Sequence, residues 1–252
     1  MEDFNNERNS NIICGRNPVL EAVRSGREID RLLIAHGQGG GSVTAIIAKC
    51  KAKGILIKEI SPQKLDFYCG GANHQGVAVM VASQEYSTPE AILETAKERN
   101  ENPFIIICDE IEDPHNLGAI IRTAEACGVH GIIIPKRRSA SLNATVAKSA
   151  SGALEYMKVA RVTNISNTID FLKEQGVWVF GADMDGEDYA QVDFDMPCAI
   201  VIGNEGKGIG NLVAKKCDRI VSLPMCGKIN SLNASVAAGV LMYAALNKRR
   251  KK

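Results

Sequence analysis

Three things are scarce in this 252-residue sequence: long apolar runs, closely spaced cysteines and net charge. No stretch approaches the roughly 18 apolar residues of a membrane-spanning helix, so no membrane partner is expected. The eight cysteines stand at 14, 50, 69, 108, 127, 198, 217 and 226, and the closest two are nine residues apart. Without a C-x-x-C or a paired Cys/His cluster there is no zinc-ligand pattern and no disulfide framework, and no metal is expected. Most cysteines sit in apolar surroundings, as Cys108 does after Phe104-Ile105-Ile106-Ile107, so buried, reduced thiols are expected. Met1–Ser10 is polar and mostly acidic and lacks the apolar stretch of a secretory signal; the expected compartment is the cytoplasm. Aromatic residues are only 5%, yet 45% hydrophobic residues exclude a disordered chain. Thirty Lys and Arg against twenty-nine Asp and Glu leave +1, which argues against a uniformly basic nucleic-acid binder.

The near-neutrality conceals a segregated charge. Residues 1–84 hold ten basic and eight acidic side chains, whereas 85–247 hold fifteen and twenty-one. The last five residues, Lys248, Arg249, Arg250, Lys251 and Lys252, are all basic.

Length alone allows one or two domains. Short β-type runs alternate with helix-type segments: Arg31–Ala35, a glycine-rich loop, a helix over Val43–Lys53, and strands at Ile55–Ile60 and Gly76–Val81. Ser83–Asn102 is polar, with Pro89 and a charged stretch, and reads as a connector holding one solvated helix. A second series follows. Its strands are expected at Phe104–Cys108, Gly131–Pro135, Val177–Gly181, Cys198–Gly203 and Arg219–Leu223. Its helices are expected near His115–Cys127, within Asn143–Ala150 and from about Leu232. Such alternation predicts an α/β fold with a mostly parallel sheet, in two domains with the smaller one first.

Four segments are placed to carry chemistry. In the first, Asp113-Pro114 forms a helix entry, with an N-cap acid followed by proline at the first helical position. Leu117, Ile120, Ile121 and Ala124 form the core face, and Arg122 lies off it, leaning back over Gly118 and Ala119. An uncovered cation aimed at the positive end of its own helix suits a phosphate; the alternative is a surface arginine paired with Glu125.

In the second, the apolar run Cys198–Ile202 enters Gly203-Asn204-Glu205-Gly206-Lys207-Gly208-Ile209-Gly210. Four glycines in eight residues let a ligand approach the backbone closely, although a plain strand-to-helix turn reads the same way. The spacing fits neither G-x-x-x-x-G-K-[ST] nor G-x-G-x-x-G. The third segment, Leu223-Pro224-Met225 to Ser231-Leu232-Asn233-Ala234-Ser235, leads into the apolar helix Val236–Leu246, which must be buried. Ser231, Asn233 and Ser235 equally suit helix capping. Ser141-Leu142-Asn143-Ala144 repeats Ser231-Leu232-Asn233-Ala234, so the pattern is partly a device for entering a helix. The fourth comprises the basic clusters Lys136-Arg137-Arg138 and the C-terminal tail, which are solvated ends or contacts to a phosphate backbone.

Taken in order, the first three segments resemble the signature motifs of the SpoU/TrmH family of RNA ribose 2′-O-methyltransferases. The matching residues are Asp113-Pro114-x-Asn116-x-Gly118-x3-Arg122-Thr123-Ala124, then Gly203-x-Glu205-x2-Gly208, then Leu223-Pro224-Met225 and Ser231-Leu232-Asn233-x-Ser235. Gly15-Arg16-Asn17-Pro18-Val19-Leu20-Glu21-Ala22 and His74-Gln75-Gly76-Val77 resemble the N-terminal extension of the subgroup that acts on a guanosine of large-subunit (23S) ribosomal RNA.

The resemblance implies a knotted α/β methyltransferase domain over residues 103–252. It implies a small ribosomal-protein-L30-like RNA-binding domain over 1–84, with 85–102 as linker. It also implies S-adenosylmethionine as cofactor, ribosomal RNA as substrate and a homodimer with the active site at its interface. Catalytic roles fall on Asn116, Arg122, Glu205, Ser231 and Asn233. The cofactor falls to Gly203, Asn204, Gly208, Leu223, Met225 and Leu232, and RNA to Arg16, Arg122, Lys136, Arg137 and Arg138. Because guanidinium keeps its proton in nearly all protein settings, Arg122 is read as a phosphate clamp that favours the developing alkoxide, not as a base. Three other readings stay open: the same chemistry on transfer RNA, a nucleotide- or dinucleotide-dependent α/β enzyme, and a non-catalytic RNA-binding protein of the same fold.

Overall fold

The computed structural model describes residues 11–229 and 231–250. Met1–Ser10, Asn230 and the tail's Lys251 and Lys252 therefore lie outside the described residues. Those described form two units: one runs to Glu85 and includes Ser141–Thr145, and the other holds Tyr86–Ala140 and the residues from Val146 onward.

The first unit contains β1 (Ile12–Cys14), α1 (Arg16–Arg24), β2 (Ile29–Ala35), α2 (Gly41–Ala52), β3 (Leu56–Ile60), α3 (Pro62–Cys69) and β4 (Val77–Val81). Its sheet order is β1-β4-β2-β3, with β2 and β3 parallel and the other pairs antiparallel. Period-two alternation divides the core. Leu32, Ile34, Val77, Val79 and Val81 pack with Val19 and Val23 of α1 and Val43 and Ile46 of α2. Leu33, Ala35 and Ala78 face the other way, onto Leu65 and Cys69 of α3.

The second unit is built on a six-stranded parallel sheet in the order β10-β8-β9-β5-β6-β7. Its strands are β5 (Phe104–Cys108), β6 (Gly131–Pro135), β7 (Val159–Val162), β8 (Trp178–Asp188), β9 (Cys198–Ile202) and β10 (Arg219–Ser222). Every residue of β5 and β9 is buried, as continuous apolar runs in the middle of a doubly covered parallel sheet must be. The helices are α4 (Pro89–Glu98), α5 (Pro114–Ala126), α6 (Ala144–Ala150), α7 (Ile165–Glu174), the single turn α8 (Asn211–Ala214) and α9 (Ala234–Arg249).

Four expectations need correction. The connector's helix α4 is not solvated all round: Ile92 and Ala96 are buried, and Ile92 fills the space that a side chain at Gly131 would occupy. The apolar helix α9 is not wholly buried either. Ala234, Ala238, Leu241, Met242 and Ala245 are covered, whereas Val236, Val240 and Tyr243 are exposed. In the C-terminal tail Arg249 turns inward, donating to the carbonyls of Asn102, Pro103 and Met196 and lying over the Phe104 ring. Finally, β8 runs well beyond Gly181. Its pairing with β10 jumps from Gly181↔Ile220 to Glu187↔Val221, so Ala182–Gly186 bulges out of register.

Candidate functional site

The first motif is built as a capped helix. Asp113 accepts from the backbone N–H of His115, and Pro114 occupies the first turn where its missing N–H costs nothing. The core face is buried as its spacing predicts, and Asn116 is buried with it. Gly118 lies under α6: an added Cβ would sit 2.4 Å from Ser149 Cβ and 2.9 Å from the Val146 carbonyl. Its smallness therefore serves helix–helix contact and not room for Arg122. Arg122 is exposed as expected, but its Nη1 donates to Ser151 Oγ (3.3 Å), not to Glu125.

The glycine segment folds back on itself just after β9. Asn204 and Gly208 exchange backbone hydrogen bonds of 3.0 and 2.8 Å, with Gly208 at φ 66°. Gly203 allows no side chain, because a Cβ would meet Gly208 C at 2.3 Å and Ile209 N at 2.4 Å. The Asn204 side chain orders the loop, accepting from Gly206 N and Lys207 N and donating to the Glu110 carbonyl. Asp109, at the end of β5, accepts from Gly210 N at 2.8 Å. Burial pushes the Asp109 carboxyl above the ordinary range, partly offset by that backbone N–H. Sequence reasoning passed over Asp109 because its partner lies 101 residues away.

At the third motif, Asn233 caps α9, its Oδ1 accepting from Ser235 N, Val236 N and Ser235 Oγ. Both copies of the Ser-Leu-Asn-Ala pattern open a helix on the alanine, α6 at Ala144 and α9 at Ala234. Yet the second copy does more. Asn233 Nδ2 donates to Asn116 Oδ1 (3.0 Å) and to Glu205 Oε1, which also accepts from Asn116 Nδ2 (2.7 Å) and Ala234 N (3.3 Å). One residue from each of the three segments thus meets in a single hydrogen-bonded cluster. Glu205 orders that cluster and touches neither Arg122 nor the backbone of its own loop.

Beside the cluster opens a cleft of about 620 Å³, within the roughly 300–1,000 Å³ of small-molecule sites. Gly203, Asn204, Glu205 and Gly208 line one side, and Leu223, Met225, Ser231 and Leu232 another. The third wall, Ala182, Asp183 and Met184, comes from the β8 bulge, which the strand signal ending at Gly181 did not announce. A lining of glycine backbone and apolar side chains, with the carboxylates of Asp183 and Glu205 against the ammonium of Lys207, suits a nucleoside-bearing cation. Asn116, Asn233 and Arg122 do not line the cleft.

The basic residues behave unevenly. Lys136 and Arg137 are exposed, whereas Arg138, at φ 54°, pairs with Glu110 at 2.8 Å. In the first unit Arg16 fastens loops: Nε donates to the Gln75 carbonyl, and the guanidinium reaches Ser42 Oγ and Gln38 Oε1. His74 accepts from Gly76 N and meets Asp66, so both front motifs also hold their own unit together. No helix among the described residues is long and apolar enough to cross a membrane.

Comparison with known proteins places this architecture. Residues 103–243 match the family described as SpoU rRNA Methylase, and residues 12–87 match RNA 2′-O ribose methyltransferase substrate binding. YacO of Bacillus subtilis (strain 168), assigned by name to the TrmH family of tRNA/rRNA methyltransferases, is 49% identical over 238 residues, covering 94% of this chain and 95% of that protein. A TrmH-family relative from Staphylococcus aureus (strain MSSA476) is 46% identical over 94% of this chain and 96% of its own. Among solved structures, the SpoU methyltransferase AviRb from Streptomyces viridochromogenes, in complex with AdoMet, aligns with a TM-score of 0.61 and 25% identity, covering 96% of this chain and 91% of that one. An AdoMet-bound rRNA methyltransferase from Sinorhizobium meliloti aligns at 0.57 with 26% identity, over 94% and 87%. With three motifs joined in one cluster and relatives matching over nearly their whole length, the chain belongs to the SpoU/TrmH family of RNA methyltransferases.

Proposed function

We propose that the protein transfers a methyl group from S-adenosylmethionine to the ribose 2′-hydroxyl of a guanosine in 23S ribosomal RNA, in the cytoplasm. The observation that carries this reading is the Asn116–Glu205–Asn233 cluster standing directly beside the glycine-walled cleft. When bound, S-adenosylmethionine supplies a methyl carbon already activated for in-line displacement. The chain must then hold the ribose oxygen about 3–3.5 Å from that carbon and ease loss of the hydroxyl proton. Gly203, Asn204, Gly208, Leu223, Met225 and Leu232 hold the cofactor. Ser231, inside the cleft, orients the reacting groups, and Glu205 fixes Asn116 and Asn233. Arg122 clamps a neighbouring phosphate and favours the developing alkoxide electrostatically.

Arg122 follows Asn116 by six residues, which places it about a third of a turn away around α5. Its guanidinium reaches Ser151 and does not line the cleft of its own chain. That separation favours a homodimer with the active site at its interface. The exposed stripe Val236, Val240 and Tyr243 on α9 supplies an apolar face for it. We read the second unit as knotted: β10 lies at the sheet edge, yet α9 returns to pack on α5 and β9. The domain at 1–84 is the RNA-binding, L30-like part; 103–252 performs the transfer, and 85–102 joins them. Arg16, Lys136, Arg137 and Arg138 are assigned to RNA, with the last already paired to Glu110.

The test is transfer of tritiated methyl groups to protein-free ribosomal RNA and to transfer RNA, followed by mapping of ribose methylation. Label at a 23S guanosine 2′-oxygen is the expected result. Label on transfer RNA alone overturns the substrate. RNA binding without transfer makes the protein a non-catalytic binder, and affinity for NAD without S-adenosylmethionine makes it a dinucleotide enzyme.

A further inference from the structure

The β8 bulge places one carboxylate where the motifs do not account for it. Ala182 still pairs with Ile202 at the end of β9, and the chain then swings out before rejoining β10 at Glu187. Gly186 makes the swing feasible, because a Cβ there would sit 2.6 Å from Val221 backbone atoms. A bulge of this kind re-aims side chains, and here it turns Asp183 into the cleft wall. Asp183 Oδ2 lies 3.2 Å from the position of a Cβ on Gly208, so the carboxylate stands against the glycine hairpin. It is half-buried, and no hydrogen bond or ion pair engages it among the described residues. The neighbouring carboxylate differs: Glu205 Oε1 is already occupied by Asn116, Asn233 and Ala234 N. Lys207 is the cation among the described cleft residues, and it stands exposed at the hairpin tip.

A half-desolvated carboxylate left unpaired is unfavourable by itself and favours a positively charged ligand. The cleft's three charged side chains sum to one negative charge. We propose that Asp183 is the residue that reads the positive charge of the cofactor, facing its sulfonium and so favouring S-adenosylmethionine over the neutral thioether product. The inference rests on the cofactor reading above. It adds a means of product release: once the methyl group leaves, the charge that Asp183 holds is gone while the adenosine contacts persist.

Calorimetric titration of the full-length protein with S-adenosylmethionine, S-adenosylhomocysteine and sinefungin tests it. Sinefungin carries an amine in place of the sulfonium. In Asp183→Asn, affinity for S-adenosylmethionine and sinefungin is expected to fall about tenfold or more. Affinity for S-adenosylhomocysteine should stay nearly unchanged, which also reports an intact cleft. Asp183→Glu, which keeps the charge, should retain the preference for the cation. Equal loss of all three ligands, or no loss of any, overturns the assignment. A wild-type protein that binds none of them overturns the cofactor reading instead.

Discussion

Asn116 Nδ2 donates to Glu205 Oε1 at 2.7 Å, across 89 residues of sequence, from the first turn of α5 to the glycine hairpin. Because the same oxygen also takes Asn233 Nδ2 and the Ala234 N–H, it is the point on which three segments depend. Replacing Glu205 by alanine leaves the buried Asn116 amide and the α9 N-terminus without their acceptor. Methyl transfer is expected to fall about 100-fold, since small misplacement of a positioned group costs that much. The melting temperature should drop by only about 2–6 °C, the equivalent of one or two net hydrogen bonds. Activity near wild type would remove the cluster from the mechanism.

Gly203→Ala drives a Cβ into backbone atoms that cannot move aside, at 2.3 and 2.4 Å. Loss of S-adenosylmethionine affinity by at least about tenfold is expected, with about 1–3 kcal/mol of stability lost to overpacking. Gly206→Ala is the control: its Cβ would have only Asn204 Oδ1 near, at 3.6 Å. Titration and denaturant melts on both variants check the contrast.

Arg122→Lys keeps a positive charge and removes the planar fork. If Arg122 clamps a phosphate in the transition state, single-turnover transfer should slow by about 10²–10³-fold with little change in cofactor affinity. Transfer at the normal rate in this variant would sink the clamp.

The exposed face of α9 predicts a dimer. Val240 and Tyr243 are 38% and 50% exposed on a helix whose other face, Ala238, Leu241, Met242 and Ala245, is buried. Val240→Asp should shift sedimentation from dimer to monomer and abolish transfer together with it. A variant still dimeric would relocate the interface.

Stability should depend on His130. Its Nδ1 accepts from Phe104 N (3.0 Å), which leaves Nε2 to carry the proton toward Glu101 (2.9 Å). Burial lowers its pKa from 6.5, with Glu101 opposing in part. The folded state thus binds fewer protons than the unfolded state once the pH falls below about 6.5. The corresponding stability is complete above that value and is lost as pH falls through the folded pKa. Denaturation at about pH 7.5 and 5.5 should show the loss in wild type and a shallower slope in His130→Gln. Equal slopes would exclude His130 as the source.

Strands and helices with strong local signals stood close to where periodicity put them: Phe104–Cys108 and Gly131–Pro135 match residue for residue, and α5 is displaced by one. The stretch Val159–Glu174, holding β7 and α7, went unassigned: β7 is a four-residue strand half-covered at one end, whereas α7 does carry a local signal, with Ile165, Thr168, Ile169 and Leu172 buried behind the Asn164 cap. The expected strand stopped at Gly181, short of the polar end of β8, because the pairing of that end with β10 lies across a bulge that no local rule marks.

By itself the sequence determined the parallel α/β plan, the capped entry of α5, the glycine turn after β9 and the residues on which the family resemblance rests. These depend on neighbours within a few positions, where spacing and backbone preference act directly. Only the tertiary structure decided that Glu205 joins Asn116 to Asn233 and not to Arg122, and that Arg249 faces inward. It alone brought Asp109 and Asp183 against the glycine hairpin. Such contacts join residues from about 25 to 150 positions apart, and what sets them is the order of strands in a sheet, which no local pattern encodes.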